Sequence, residues 1–214
     1  MSLELFLHPL SSYCHKVLIA LYENDIAFQV KSLGDPAVAR EFAALSPLKK
    51  FPILRDLERG QVVPESTTII EYLQSFYPVR VKLIPDDPDL AWQVRARDRF
   101  CDNYLHAAMQ KFAGDHLRPH DKRDPYGVDE AKTLFVKALG VIEVEMARRT
   151  WAIGNTFTMA DCAAGPPIFY GNRFYGPFRE THPNALAYLD RLMARPSYAR
   201  VLEEAKPFMH LLPK

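Results

Sequence analysis

Apolar positions in the first third of the chain change period several times over short distances. Leu3 to Leu7 is a brief apolar run closed by His8 and Pro9, which predicts a strand. Ser11 and Ser12 carry hydroxyls suited to capping a helix, and Cys14, Val17, Leu18 and Leu21 then recur at helical spacing. Ala27 to Val30 reads as a second strand, and Pro36 to Leu45 as a shorter helix opened by Asp35 and Pro36. Phe51 to Leu54 and Gln61 to Val63 flank the turn-rich stretch Asp56 to Gly60, which predicts an antiparallel hairpin. Beyond Pro64-Glu65-Ser66, a helix is expected with Ile69, Ile70, Leu73, Phe76 and Tyr77 on one face. The predicted order is βαβ-α-ββα.

The pattern changes at Pro78. Pro78, Pro85 and Pro88, interleaved with Asp86, Asp87 and Asp89, read as a linker, because proline breaks helices and the charges resist burial. From there on every periodic segment is helical. Leu90, Val94, Cys101, Leu105, Met109 and Phe112 mark one long helix ending before Pro119. Ala131, Leu134, Ala138, Val141 and Ile142 mark a second. Thr158 and Asp161 have the spacing of a capping box and open a third, which Pro166 and Pro167 are expected to bend. Leu186, Leu189 and Leu192, then Tyr198 to Ala205, suggest two short final helices. The expected domains are 1–77, small and α/β, and 88–214, all-helical, joined by a linker at 78–87.

Composition narrows the function classes. Of 214 residues, 48% are hydrophobic and 25% charged, the balance of an ordinary globular chain rather than a disordered or fibrous one. Lys plus Arg (27) nearly cancels Asp plus Glu (26), leaving a net charge of +1. That charge gives no global field for a nucleic-acid backbone or an anionic membrane, so any anion must be held by local geometry. No apolar run reaches the ~18 residues of a membrane span, and the first residues lack the basic start of a secretory signal. Cys14, Cys101 and Cys162 are odd in number and far apart, suiting neither a disulfide framework nor a zinc pattern. A cytoplasmic protein with reduced thiols and no metal is the expectation.

Three short stretches can carry chemistry. At the first strand–helix junction, Ser11 and Ser12 add hydroxyl donors to free backbone amides and a positive dipole end, favouring an anion or thiolate there. Cys14 in the same turn would feel that dipole, but a lone cysteine on an apolar stripe is more often a core residue. In Lys50-Phe51-Pro52, proline entering an inner strand cannot donate to the ladder; a cis peptide and an edge strand are both compatible with it. At Glu65-Ser66, Ser66 suits a helix N-cap, and the pair would suit the carboxylate and ammonium of an α-amino acid. His116 and His120 are four apart but separated by Pro119 with no third ligand in view. Arg97, Asp98, Arg99 and Asp102 read as solvated or interface charge.

Taken together, these stretches resemble the glutathione transferase superfamily over nearly the whole chain. The resemblance rests on Ser11-Ser12 with Lys16-Val17 and Ile19-Ala20-Leu21, Ser46-Pro47 with Lys50-Phe51-Pro52-Ile53, Glu65-Ser66 with Ile69-Ile70-Glu71-Tyr72-Leu73, and Thr158-Met159-Ala160-Asp161. It implies a thioredoxin-like N-terminal domain, an all-helical C-terminal domain, a homodimer, and glutathione as co-substrate without a metal. It also implies that Phe51, before a cis Pro52, pairs its backbone with the cysteinyl part, Glu65 and Ser66 take the γ-glutamyl end, and Lys50 approaches the glycine carboxylate. Ser11 matches the catalytic serine of serine-type members, with Ser12 as the donor if the turn is shifted by one residue.

The implied activity is attack of the glutathione thiolate on a small hydrophobic electrophile. Tyr104, Met109, Phe112, His116, Phe169, Tyr170 and Phe174 are candidates for the acceptor pocket, and Asp102 for the ligand's ammonium. An isomerase resembling maleylacetoacetate isomerase is the alternative, carried by Ser11-Ser12, Val17, Thr158 to Asp161, Pro166 and Asn172-Arg173-Phe174. There Arg173 would bind a substrate carboxylate. A non-catalytic binding protein of the same superfamily is a third reading.

Overall fold

The computed structural model describes residues 2–212; Met1, Pro213 and Lys214, at the outer ends of the two expected domains, lie outside them. Strands β1 (Leu3–Leu7), β2 (Gln29–Ser32), β3 (Ile53–Asp56) and β4 (Gln61–Pro64) form one mixed sheet in the order β2-β1-β3-β4. Helix α1 (Ser12–Glu23) is the crossover that lets β2 run parallel to β1, while β3 and β4 pair antiparallel. Helices α2 (Pro36–Leu45) and α3 (Ser66–Phe76) complete the thioredoxin-like unit. All five residues of β1 are buried, as a central strand covered on both faces requires.

Two strands lie two residues later than the apolar pattern suggests. The parallel ladder starts at Glu4 opposite Gln29, so Ala27 and Phe28 precede β2 rather than belonging to it. Pairing of β3 starts at Ile53 opposite Phe6, beyond Pro52, whose nitrogen has no proton to give. Ser66 is not the N-cap of α3: Glu65 occupies that place with φ 67° and makes no side-chain cap bond. Phe76, expected on the buried face of α3, is 50% exposed, with the Arg59 guanidinium over its ring.

The remainder is helical, as the pattern predicts. The expected long helix is α4 (Pro88–Phe100), a π-helical stretch at Cys101–His106, and α5 (Ala107–Asp115). A π turn is wider than an α turn, so adjacent residues share the inward face: Cys101 with Asp102, then Leu105 with His106, all buried. Helix α6 (Pro125–Met146) buries Ala131, Phe135, Ala138, Leu139 and Ile142, whereas Leu134 and Val141 are each 41% exposed. The buried stripe of α6 is rotated from the predicted one, with Phe135 set against Gly171 of α7 (Met159–Phe174). A Cβ on Gly171 of α7 would lie 2.1 Å from the Phe135 ring. Thr158 and Asp161 close the expected capping box, and α7 runs through Pro166 and Pro167. Helices α8 (Pro183–Met193) and α9 (Pro196–Ala205) follow.

The stretch between α3 and α4 is tied down despite its charges. Leu83 and Ile84 are buried there, Gln74 brackets Ile84 with two hydrogen bonds, and the Met159 amide donates to Leu83. One apolar core runs without interruption from β1 and α1 through α4, α6, α7 and α9. Among the described residues no helix is long and apolar enough to cross a membrane.

Candidate active site

A cleft of about 620 Å³ opens where α1 begins, along the loop before β3 and the junction of β4 with α3. It brings together Ser11, Lys50, Phe51, Pro52, Glu65 and Ser66, from three separate stretches of the sequence. Ser12 is not among its walls; it lines a second, apolar cleft of about 500 Å³. Ser11, Phe51 and Gln110 are common to both, so the first turn of α1 stands at the border between a polar and an apolar compartment.

Ser11 is held there by its role as a cap. Its backbone is extended (φ −78°, ψ 121°), its Oγ accepts from the Cys14 amide at 3.3 Å, and its amide donates to His8 at 3.0 Å. An oxygen that accepts from an amide still carries its own proton and can donate it. Cys14 is fully buried, and burial pushes its thiol up to about 12 against hydrogen bonds from Ser11 and His8. It is a protonated core thiol, so the reactive role open to it in the sequence is closed. Burial, then the Asp102 carboxylate, likewise raises the Tyr13 phenol above its ordinary value.

On the opposite wall the Phe51–Pro52 peptide is cis. The loop before it is clamped by Ser46, whose Oγ accepts from the Lys50 amide (3.0 Å) and donates to the Lys50 carbonyl (3.1 Å). Register then fixes the neighbouring element: Ile53 pairs with Pro64, so Glu65 and Ser66 arrive beside Pro52. A non-glycine residue at φ 67° costs about 1–3 kcal/mol and persists only where its surroundings over-determine it. Here β4 pairing ends one residue before Glu65, and the Ile69 amide holds its carbonyl at 2.9 Å.

Asp98 and Asp102 are buried rather than solvated, while Arg99 keeps half of its side chain exposed. Lys16 of α1 is fully buried, with Nζ 2.6 Å from Asp98 and 2.9 Å from Asp102. Arg99 reaches the same Asp102 oxygen at 2.5 Å, and His106 Nδ1 donates to the other at 3.2 Å. Arg99 and Asp102 form part of the polar cleft wall. Burial alone would raise Asp102, but His106 and Lys16 hold its carboxyl at about 2. The overlooked signal was a lysine in the middle of an apolar helical stripe, which demands a buried partner.

Of the acceptor candidates, Met109, Tyr170 and Phe174 line the apolar cleft, joined by Leu10, Leu117 and Leu211. Tyr104 and Phe169 line neither cleft, and Phe112 and His116 belong to a separate hollow that also includes His120. Arg173 is exposed and lines neither cleft. The described lining of the apolar cleft has no Asp, Glu, Lys or Arg, and burial lowers the pKa of its one histidine, His8. Among the described residues no cluster of three His, Cys, Asp or Glu side chains suits a metal.

Comparison with known proteins shows the family. Residues 5–81 match the family described as "Glutathione S-transferase, N-terminal domain", and residues 100–196 match "Glutathione S-transferase, C-terminal domain". Glutathione S-transferase U25 of Arabidopsis thaliana is 24% identical over 209 residues, 95% of this chain and 90% of the relative. A probable maleylacetoacetate isomerase of Caenorhabditis elegans is 27% identical over 163 residues, 74% of this chain and 73% of the relative. Among solved structures, a Methylobacterium radiotolerans glutathione S-transferase in complex with glutathione sulfonate is 30% identical at TM-score 0.80, covering 93% of each chain. One from Methylobacillus flagellatus with GSH bound is 25% identical at TM-score 0.84, covering 94% of this chain and 98% of the other. With two family matches on successive parts of the chain and a 30%-identical relative spanning nearly all of it, this chain belongs to the glutathione S-transferase superfamily.

Proposed function

We propose that the protein is a serine-type glutathione transferase, in which the Ser11 hydroxyl stabilises the glutathione thiolate as it attacks an uncharged apolar electrophile. The observation that carries this reading is the place of Ser11, shared by a polar cleft and an apolar one. In the polar cleft, Glu65 and Ser66 take the γ-glutamyl end, the Phe51 backbone pairs with the cysteinyl part and Lys50 draws the glycine carboxylate. The sulfur then faces the start of α1.

The magnitudes suffice. A free thiol has a pKa near ~8.5. A hydrogen bond to a charged group contributes ~1.5–3 kcal/mol, or roughly one to two pKa units at ~1.36 kcal/mol each. The dipole of α1 adds ~0.3–1 kcal/mol. Ser11 acts as a donor to the thiolate and need not remove its proton.

The lining of the apolar cleft favours a neutral acceptor over a dicarboxylate, and the exposed position of Arg173 weighs against the isomerase reading. We further read the protein as a cytoplasmic homodimer whose interface covers exposed Phe76 on α3 and Trp92 on α4; sedimentation at graded concentration tests this. For the activity, calorimetry should show glutathione binding, and ultraviolet absorbance of the complex against pH should show a thiolate below the free-thiol range. An unshifted thiol in the complex would leave only the non-catalytic reading.

A further inference from the structure

The buried charge cluster behind the polar cleft has no part in the chemistry described so far. Lys16 sits about one and a half turns after Ser11 on α1, with no exposed surface and both Asp98 and Asp102 in contact. Its ammonium also donates to Thr67 Oγ1 at 2.9 Å, and that hydroxyl donates to Asp98 at 2.7 Å. α1, α3 and α4 are thereby joined at one buried point. The π turn is what allows this: it keeps Asp102 inward beside Cys101 while Asp102 still borders the cleft.

We propose that Lys16 is a positioning residue for the glutathione site: its buried ammonium fixes the Asp102 carboxylate, and through it the Arg99 guanidinium, as the wall that meets the ammonium and carboxylate of the ligand's amino-acid end. The inference rests on the glutathione reading. Charge arithmetic supports it. Lys16 and Arg99 balance Asp98 and Asp102, so the cluster as a whole is neutral, and a carboxylate and a guanidinium remain side by side at the cleft. Without Lys16, two carboxylates at least nine-tenths buried would compete for Arg99 alone, drawing it off the wall.

Lys16 and Tyr13 face Asp102 from α1, Thr67 from α3, and Asp98, Arg99 and His106 from its own helical run. Glu65 lies on the same cleft. His106 is buried, which lowers its pKa, and its Nδ1 lies 3.2 Å from Asp102. With Lys16 in place Asp102 stays ionised across pH 5–8, and its titration cannot affect binding there.

The test uses S-methylglutathione, which has no thiol to titrate, and calorimetry from pH 5 to 8. Wild-type affinity is expected to be flat in pH. Lys16→Met should bind roughly ten to a hundredfold more weakly, the scale of one lost hydrogen bond to a charged group. Its affinity should fall further on acidification, because burial then raises the Asp102 pKa and protonation removes the charge that binds. With glutathione itself, KM should rise while kcat at saturation changes little. Thr67→Val, which removes one link and no charge, should shift affinity a few-fold the same way, and carries the test if Lys16→Met does not fold. Unchanged affinity with a flat profile in folded Lys16→Met, or unchanged affinity in Thr67→Val where Lys16→Met is unfolded, overturns this inference alone. No binding by the wild type overturns the glutathione reading together with it.

Discussion

The Tyr188 hydroxyl donates to the Asp161 carboxylate at 2.6 Å, joining the middle of α8 to the first turn of α7. Asp161 also accepts from the Ala152 amide (2.8 Å), the Thr158 amide (2.8 Å) and the Thr158 hydroxyl (2.9 Å). Read as a capping box from its spacing, the residue is thus the node of three segments. Replacing it by alanine leaves two buried amides and two hydroxyls without acceptors, each costing ~1–3 kcal/mol. Asp161→Ala is expected to lose at least about 3 kcal/mol of stability, and Tyr188→Phe about 1.5–3 kcal/mol. Urea unfolding measures both; a loss under about 0.5 kcal/mol for Asp161→Ala would deny the node its role.

Acid sensitivity should come from His15. It is fully buried, its Nε2 donates to the Pro9 carbonyl at 2.7 Å, and burial lowers its pKa to about 4. The unfolded chain takes up its proton near pH 6.5, the folded one only near 4, so the unfolded state binds more protons between them. Stability therefore declines as pH falls from 6.5 toward 4, by roughly 2–3 kcal/mol from this group. His15→Gln keeps a donor for Pro9 and removes the titration. Its unfolding free energy should lose that part of the pH slope, and an identical slope in both proteins would assign the acid sensitivity to other groups.

Close packing of α6 on α7 gives a third expectation. The Cβ introduced by Gly171→Ala would overlap the Phe135 ring, which is fully buried and edge-on to Phe112. Overpacking of this kind costs about 1–3 kcal/mol. Trimming the ring should return part of it, so Gly171→Ala with Phe135→Leu should be more stable than the sum of the single effects. Strict additivity in thermal unfolding would show that the two positions do not share the contact.

Periodicity and cap residues located the four strands and the α-helices, with α4 and α5 read as one, but not the short 3-10 helices at His120–Lys122 and Lys206–Leu211. They misplaced what depends on pairing partners: the starts of β2 and β3 are set by β1, and the buried stripe of α6 carries Phe135 against Gly171. Site residues were legible where backbone chemistry leaves a mark, as at Ser11 and Pro52. The conformation of Glu65 left none, since nothing in Pro64-Glu65-Ser66 announces a positive φ. Nor did the ion cluster: Lys16 lies 82 positions from Asp98 and 86 from Asp102. The π turn that keeps Asp102 inward leaves no mark in the hydrophobic pattern.

Ser11 and Ser12 are adjacent hydroxyls with different surroundings, and the proposed chemistry separates them. Ser11 borders both clefts; Ser12 is buried and borders only the apolar one. Ser11→Ala removes the hydrogen bond to the thiolate, worth ~1.5–3 kcal/mol, so kcat/KM should fall about 10- to 150-fold. The pKa of the bound thiol should climb back toward the free value. KM for glutathione should change little, since the proposed site holds the tripeptide's ends by Lys50, Glu65 and Ser66 and not by Ser11. Activity of Ser11→Ala should recover as pH rises, because solvent then supplies the ionisation that the hydroxyl no longer favours. Ser12→Ala should leave the thiol pKa where it is. If Ser12→Ala raises the thiol pKa and Ser11→Ala does not, the donor is Ser12, and the turn presents its second hydroxyl to the sulfur.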